Sequence, residues 1–234
     1  MSLDIIFEDQ FIICVNKPNN MLVHHAHHSR NVADETSLLQ LIQVEKGIKV
    51  YPIHRLDRKT SGIILLAKET INVSKFQELF TNNEIEKTYY GVVRGFSPET
   101  KIIDSPVKGR DASIHKDALT YLKTLEQIVL EIPVKPYDCS RYSLVELKPK
   151  TGRMHQLRVH TSKISHPLIG DIKYGDKNHD VMFDENFGWK NMFLHAGQLK
   201  FKHPFSEEVL ILKAKFPKNW ISLFEEFTWT NPHS

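Results

Sequence analysis

Residues 51–68 read Y-P-I-H-R-L-D-R-K-T-S-G-I-I-L-L-A-K and concentrate the chain's candidate chemistry. One carboxylate, Asp57, stands among the cations Arg55, Arg58 and Lys59 and the neutral donors His54, Thr60 and Ser61. Positive neighbours favour the ionised form of a lone carboxylate. That suits a nucleophile or an unprotonated base rather than an acid. An Asp that only opens a turn or pairs with Arg58 is the other reading of the same residues, since turn-forming Asp is common. Gly62 permits a sharp backbone turn, and Ile63 to Ala67 are a short apolar run of the kind that forms a buried strand. Asp57 is therefore expected at the lip of a sheet.

The same residues carry a resemblance. H-R-L-D-x-x-T-S-G followed by an apolar strand and Ala-Lys resembles the catalytic signature of the RluA-type pseudouridine synthases. Two more segments match that family. E-K-T-Y at residues 86–89 is similar to its K-x-Y motif, and K-P-K-T-G-R-M-H-Q-L-R-V-H at 148–160 to its G-R-x-H-Q-[LI]-R-x-H segment. N-K-P near the start, and F-L-H-A-x-x-L with H-P-F near the end, extend the likeness over most of the chain. One departure is Asn20, where the family usually has Gly; Asn is the next-best residue for positive φ.

The resemblance implies an RNA uridine isomerase, with Asp57 as catalytic aspartate, Tyr89 as active-site tyrosine and Arg158 against the carboxylate. A tyrosine ring can stack on a flipped base while its hydroxyl serves as a proton partner. A guanidinium can hold a carboxylate through two parallel bonds. Arg55, beside Asp57, is a candidate to fill the stack left by a flipped nucleotide, and His54 adjoins it. Arg153 and His155, expected near a helix N-terminus, are candidates for phosphate contacts. Within the family the likeness is nearest to a branch acting on uridine 65 of tRNA, with 23S ribosomal RNA as the competing substrate. Isomerisation needs no redox cofactor, nucleotide or metal, and no Walker loop, dinucleotide fingerprint or HExxH is present in the sequence. The H-R-L-D run is unlike a kinase loop, which continues to an Asn and follows a Gly-rich loop. A non-catalytic RNA-binding module, with Asp57 structural, is the remaining rival.

Composition agrees with a folded RNA-binding protein without demanding one. The 234 residues are 41% hydrophobic and 25% charged, with net charge +3. Charge distribution says more: residues 141–175 hold seven Lys or Arg and two acids, a candidate phosphate-binding patch. His24, His25, His27 and His28 suggest a metal site, a flexible loop or, for His24 in particular, substrate contacts. No Cys, Asp or Glu within five residues completes a ligand shell. Cys14 and Cys139 lack metal spacing and fit buried thiols in a reducing compartment. No signal peptide and no apolar run near ~18 residues is present, so a cytoplasmic monomer with no membrane partner is expected.

The elements that must position these residues follow from periodicity. Strands are expected at 3–7, 11–17, 86–95, 101–104, 119–125, 128–132, 140–148, 192–201 and 209–215. Helices are expected at 37–44 with Thr36 as cap, at 70–80 with Thr70 as cap, at 153–164 and at 217–227 opened by Pro217. In the second, Ile71, Phe76, Leu79 and Phe80 form the expected inner face. In the third, Met154, Leu157, Thr161 and Ile164 make the core stripe, with Arg158 at its border. Residues 180–190 show no clear period. The pattern predicts an α+β (mixed α/β) fold with a mixed sheet. The resemblance implies one pseudouridine synthase catalytic domain over 1–234, its sheet long and bent with a central cleft. With a first strand at Leu3, no N-terminal accessory RNA-binding domain is expected. RNA recognition then falls to the cleft and to residues 24–30, 109–116 and 180–190.

Overall fold

Runs rich in Ile, Val and Phe open the chain and pair as antiparallel strands. The computed structural model describes residues 3–25, 35–108 and 114–233. In chain order it forms β1 Ile5–Glu8, β2 Ile12–Lys17, α1 Leu38–Lys46, β3 Tyr51–Pro52, β4 Ser61–Ala67 and α2 Thr70–Thr81. There follow β5 Glu86–Arg94, β6 Thr100–Asp104, β7 Val107–Lys108, β8 His115–Lys116, β9 Leu119–Leu130, β10 Ser140–Pro149, α3 Gln156–Lys163 and α4 Lys177–Phe187. The chain closes with β11 Leu194–Lys202, β12 Val209–Lys213 and α5 Lys218–Glu226. The fold is mixed α/β with a large mixed sheet, as the sequence predicts. Among the described residues no helix is long and apolar enough to cross a membrane.

The contacts divide the chain into two compact units, Met1–Glu86 with Ala196–Lys215, and Lys87–His195 with Phe216–Ser234. In the first, β1–β2, β2–β4, β3–β4 and β11–β12 pair antiparallel. Every residue of β4 is buried, which explains its unbroken apolar run. Alternate residues Ile12, Cys14, Ile63, Leu65 and Ala67 pack with Phe76 and Leu79 of α2 and with Leu199, Phe201 and Leu212. Gly62 has φ +107, and a Cβ there would lie 2.2 Å from the carbonyl oxygen of Ala196. Glycine is required twice over, by the torsion and by the close backbone.

In the second unit β5–β10, β10–β9 and β9–β6 pair antiparallel. Strand β10 packs on both faces. Tyr142 and Leu144 enter an aromatic core with Phe183, Phe193, Trp220, Phe224 and Phe227. Val145 and Leu147 enter another with Val93, Ile103, Leu122, Leu157 and Leu168. Burying each such large side chain is worth about 1.5–3 kcal/mol.

Several local expectations shift. Ser37, not Thr36, caps α1, in a capping box with Gln40. Helix α2 has Glu69 at its cap with no side-chain bond, and Ile71 is 76% exposed while Asn72 is buried. Residues 119–130 form one strand rather than two. Residues 180–190 lie mostly in α4, capped by Asp176 and ended by Gly188 at φ +70. Its Met182 and Phe183 are core residues, with Phe187 and Trp189 packed beside them. The period was obscured because the aromatic packing extends past the helix end into the following turn.

Candidate active site

The Asp57 loop is built from its backbone outward. The Thr60 N–H donates to the Asp57 carbonyl at 3.0 Å, closing a turn whose first residue is Asp57. The Arg58 carbonyl accepts from Lys17 Nζ at 3.1 Å, and the Lys59 carbonyl accepts from Asn19 Nδ2. Arg58 returns a bond, its Nε donating to the Asn20 carbonyl at 3.0 Å and its Nη2 pairing with Glu35 at 2.8 Å. Asn20 takes φ +68, the left-handed conformation for which Asn stands in for Gly. The segment at 17–20 and the turn at 57–60 are thus laced together. Asp57 itself is half-buried and Arg55 exposed.

His54 is half-buried. Its Nε2 accepts the Leu65 N–H at 2.9 Å and its ring lies 4.7 Å from that of Phe80. With Nε2 accepting, the neutral ring carries its proton on Nδ1. His24 is exposed, while His25 bonds Gln40 Oε1 at 2.9 Å. His27, His28 and the rest of 26–34 lie outside the described residues, as do residues 109–113. Among the described residues no group of three or more His, Cys, Asp or Glu is placed to hold a metal ion.

In the second unit, Tyr89 sits half-buried on β5 opposite Leu147 and packs against the cluster that holds Leu157 of α3. Helix α3 starts later than its sequence suggests. His155, its N-cap, has φ +56 and makes no side-chain cap bond. The turn before the helix is organised instead by Gln156. Its Oε1 accepts from Thr151 Oγ1 at 2.7 Å and the Arg153 N–H at 3.0 Å. Its Nε2 donates to the Leu119 carbonyl and to Thr120 Oγ1, both at 3.0 Å. Arg153 is exposed, its Nε donating to the Asp117 carbonyl at 3.0 Å, and His155 Nδ1 lies 3.2 Å from the Tyr174 hydroxyl.

The polar residues of α3 point inward more than its apolar stripe predicts. Gln156, Arg158 and His160 are buried beside Leu157 and Thr161, whereas Met154 is only half-buried. Such burial is tolerable only when each polar group is satisfied. His160 is bounded by Thr120 Oγ1 at 2.9 Å and the Ser105 carbonyl at 2.8 Å, and burial lowers its pKa. Arg158 donates from Nε and Nη2 to the two oxygens of Asp171, each at 2.7 Å, with the Tyr174 ring 5.3 Å from its Cζ. Asp171 also accepts the N–H groups of Lys173 and Tyr174. Burial pushes its carboxyl pKa up, but Arg158 and these N–H groups outweigh it and hold the group below its ordinary value.

Asp171 and Lys17 are among the buried charges that the sequence does not reveal. The available signals were I-G-D after a Pro turn and the lysine of N-K-P, neither of which reveals burial. Of the sequence candidates, Asp57, His54 and Arg55 share one unit and one loop. Tyr89, Arg153, His155 and Arg158 share the other, where the Leu157 cluster joins β5 to α3.

Comparison with known proteins bears on this constellation. Residues 11–163, which include Asp57, Tyr89 and Arg158, match the RNA pseudouridylate synthase family. The chain is similar to tRNA pseudouridine synthase C of Vibrio cholerae, 35% identical over 97% of this chain and 96% of that protein. It is also similar to the protein of that name from Yersinia pestis, 36% identical over 99% and 94%. The solved human RNA pseudouridylate synthase domain containing 4 superposes with a TM-score of 0.74 at 25% identity, covering 98% of this chain and 94% of that one. Signature residues and near full-length similarity agree: the chain belongs to the RNA pseudouridylate synthase family.

Proposed function

We propose that this chain converts a uridine of tRNA, at position 65 in the T-arm stem, to pseudouridine. It is an isomerase acting on RNA uridine by its family; the tRNA target is the finer reading. One observation carries it: relatives about 35% identical over nearly their whole length bear the name tRNA pseudouridine synthase C. In this reaction the C1′–N1 glycosidic bond breaks, the uracil turns and C1′ bonds to C5, whose proton is released as N1 regains one. Asp57 either attacks the nucleoside or takes its 2′ proton. Tyr89 supplies the ring against the base, and Arg158 the guanidinium that serves the carboxylate. Arg55, His54, His24, Arg153 and His155 contact the RNA. The protein acts as a cytoplasmic monomer.

The test is conversion of an unmodified tRNA transcript, mapped by pseudouridine-specific carbodiimide, with wild type and Asp57→Asn. Wild type should modify one T-arm uridine. The variant should lose all turnover while its RNA affinity stays within a few-fold, because phosphate contacts supply most of the binding. Full activity in Asp57→Asn would remove the catalytic assignment. A deletion strain that keeps every tRNA pseudouridine but loses one in 23S rRNA would overturn the tRNA target and leave the chemistry standing.

A further inference from the structure

The sheet of the second unit carries chemistry on the side away from Tyr89 as well. Tyr89, Leu147 and Leu122 are in register across β5, β10 and β9, and the two leucines pack with Leu157 of α3. Successive residues of a strand point to opposite faces. Tyr121, Lys123, Glu146 and Lys148 therefore lie on the other face. There Ile102 of β6 stands opposite Tyr121, which stands opposite Lys148, and Lys123 pairs with Glu146 in the adjacent row. Further along β10 the same face is covered, with Tyr142 and Leu144 buried in the aromatic core against Phe183 and Trp220. The cover stops short of β6. Ile102 is 62% exposed and Tyr121 38%, and with Lys101, Lys123, Glu146 and Lys148 they line a groove of about 560 Å³.

Three lysines against one carboxylate make this groove basic, and Glu146 is already committed, its Oε1 lying 2.9 Å from Lys148 Nζ. Among the described residues no carboxylate forms an ion pair with Lys101 or Lys123. Lysines alone are ordinary on an edge strand, where they discourage pairing with other chains. A solvated edge does not call for an open tyrosine and isoleucine between them, and exposed apolar surface rimmed by polar groups marks an interaction site. We infer that this groove binds an unpaired stretch of the RNA substrate, with a base stacked on Tyr121 and the flanking phosphates on Lys101 and Lys123. This rests on the proposed tRNA substrate. Every base has a π-face, so an aromatic ring flanked by cations suits single strands of any sequence. A paired stem keeps its bases inside the helix and leaves Tyr121 unused. A second copy of this face would set its own lysines against these, and like charges oppose that pairing. Because the groove lies on the face away from Tyr89, it contributes to affinity and not to the chemical step.

The experiment compares wild type, Tyr121→Ala and the double variant Lys101→Ala with Lys123→Ala. Affinity is measured for an unmodified full-length tRNA transcript and for its T-arm stem–loop alone, and kcat and KM on the transcript. Tyr121→Ala should weaken transcript binding and raise KM about tenfold, within the range of one base stacked on an aromatic ring, with kcat unchanged. Its affinity for the stem–loop should stay within a few-fold of wild type. The double variant should lower the slope of log affinity against log salt by about 1.4, at ~0.7 for each single-strand phosphate contact. Unchanged transcript affinity in Tyr121→Ala overturns the proposal, as does an equal loss on transcript and stem–loop. Cross-linking of wild type to a 5-iodouridine-substituted transcript gives a readout that needs no variant. The peptide containing Tyr121 should carry the cross-link, and its absence there also overturns the proposal. If wild type leaves the transcript unmodified yet binds it through Tyr121, the tRNA reading of the reaction fails and the groove stands. If the transcript is modified and Tyr121→Ala has a wild-type KM, only the groove fails.

Discussion

Asp171→Asn is the most direct probe of the second unit, because it changes one atom of a buried ion pair. The side chains of Arg158 and Asp171 are 8% and 0% exposed, so solvent screens their interaction little. In wild type Oδ1 accepts from Arg158 Nη2 and from the Lys173 and Tyr174 N–H groups, while Oδ2 accepts from Arg158 Nε. An asparagine can keep its oxygen at the Oδ1 position, but its NH2 then meets the Nε donor. One charge-assisted bond becomes a donor facing a donor, and the buried guanidinium loses the charge of Asp171. Breaking one partner of a buried pair costs about 3–5 kcal/mol. At about 2–4 °C per kcal/mol for a chain of this size, Tm should fall by roughly 6–20 °C. Urea unfolding followed by tryptophan fluorescence measures the loss directly. The carboxyl pKa is lowered in the folded state, so its contribution is present above the unfolded value and lost as pH falls through the folded one. Wild type should accordingly lose this contribution below about pH 4, and Asp171→Asn should lack that component. In a cycle with Arg158→Met, the double variant should be less destabilised than the two single losses added together. A cost under about 1 kcal/mol, or an additive cycle, would refute the reasoning.

Gly62→Ala combines a positive-φ alanine with a Cβ placed 2.2 Å from a backbone oxygen, and should cost at least about 3 kcal/mol; an unchanged urea midpoint would contradict it. Arg153→Ala should leave kcat at saturating RNA unchanged and flatten log affinity against log salt by about one for a single phosphate contact, less on non-duplex RNA. An unaltered slope would remove Arg153 from the RNA-binding set. Cys14 is fully buried and its thiol pKa is pushed up by that burial, whereas Cys139 is half-buried. Ellman's reagent should therefore titrate one thiol in the native protein and two in denaturant, and two fast native thiols would contradict the packing of β2.

Much of this protein is local, and local features are legible in a sequence. The unbroken apolar run of β4 announced a strand buried on both faces. Asn20 takes the positive φ expected of it, and Gly62 takes one too, although it lies inside β4 rather than in a turn before it. Strand β10 sends Tyr142 and Leu144 to one cluster and Val145 and Leu147 to another, as a period of two requires, and Pro217 opens the last helix. Motif residues placed the chain in its family because they stand at short, fixed spacings.

Tertiary structure decided which polar residues are buried, and with what. Lys17 and Asp171 look like any other charged residue in the sequence. One became a staple because three carbonyls, one of them 41 residues away, converge on its ammonium. The other became the partner of Arg158 because its loop folds back on α3. Gln156 and His160 read as the polar side of a helix but point inward, since Leu119, Thr120 and Ser105 supply partners there. Residues 180–190, without a readable period, became a helix whose Met182 and Phe183 fill an aromatic core. Periodicity reports how a segment would present its apolar side to water. Burial of a charge depends on acceptors brought by distant segments, and those exist only once the chain has folded.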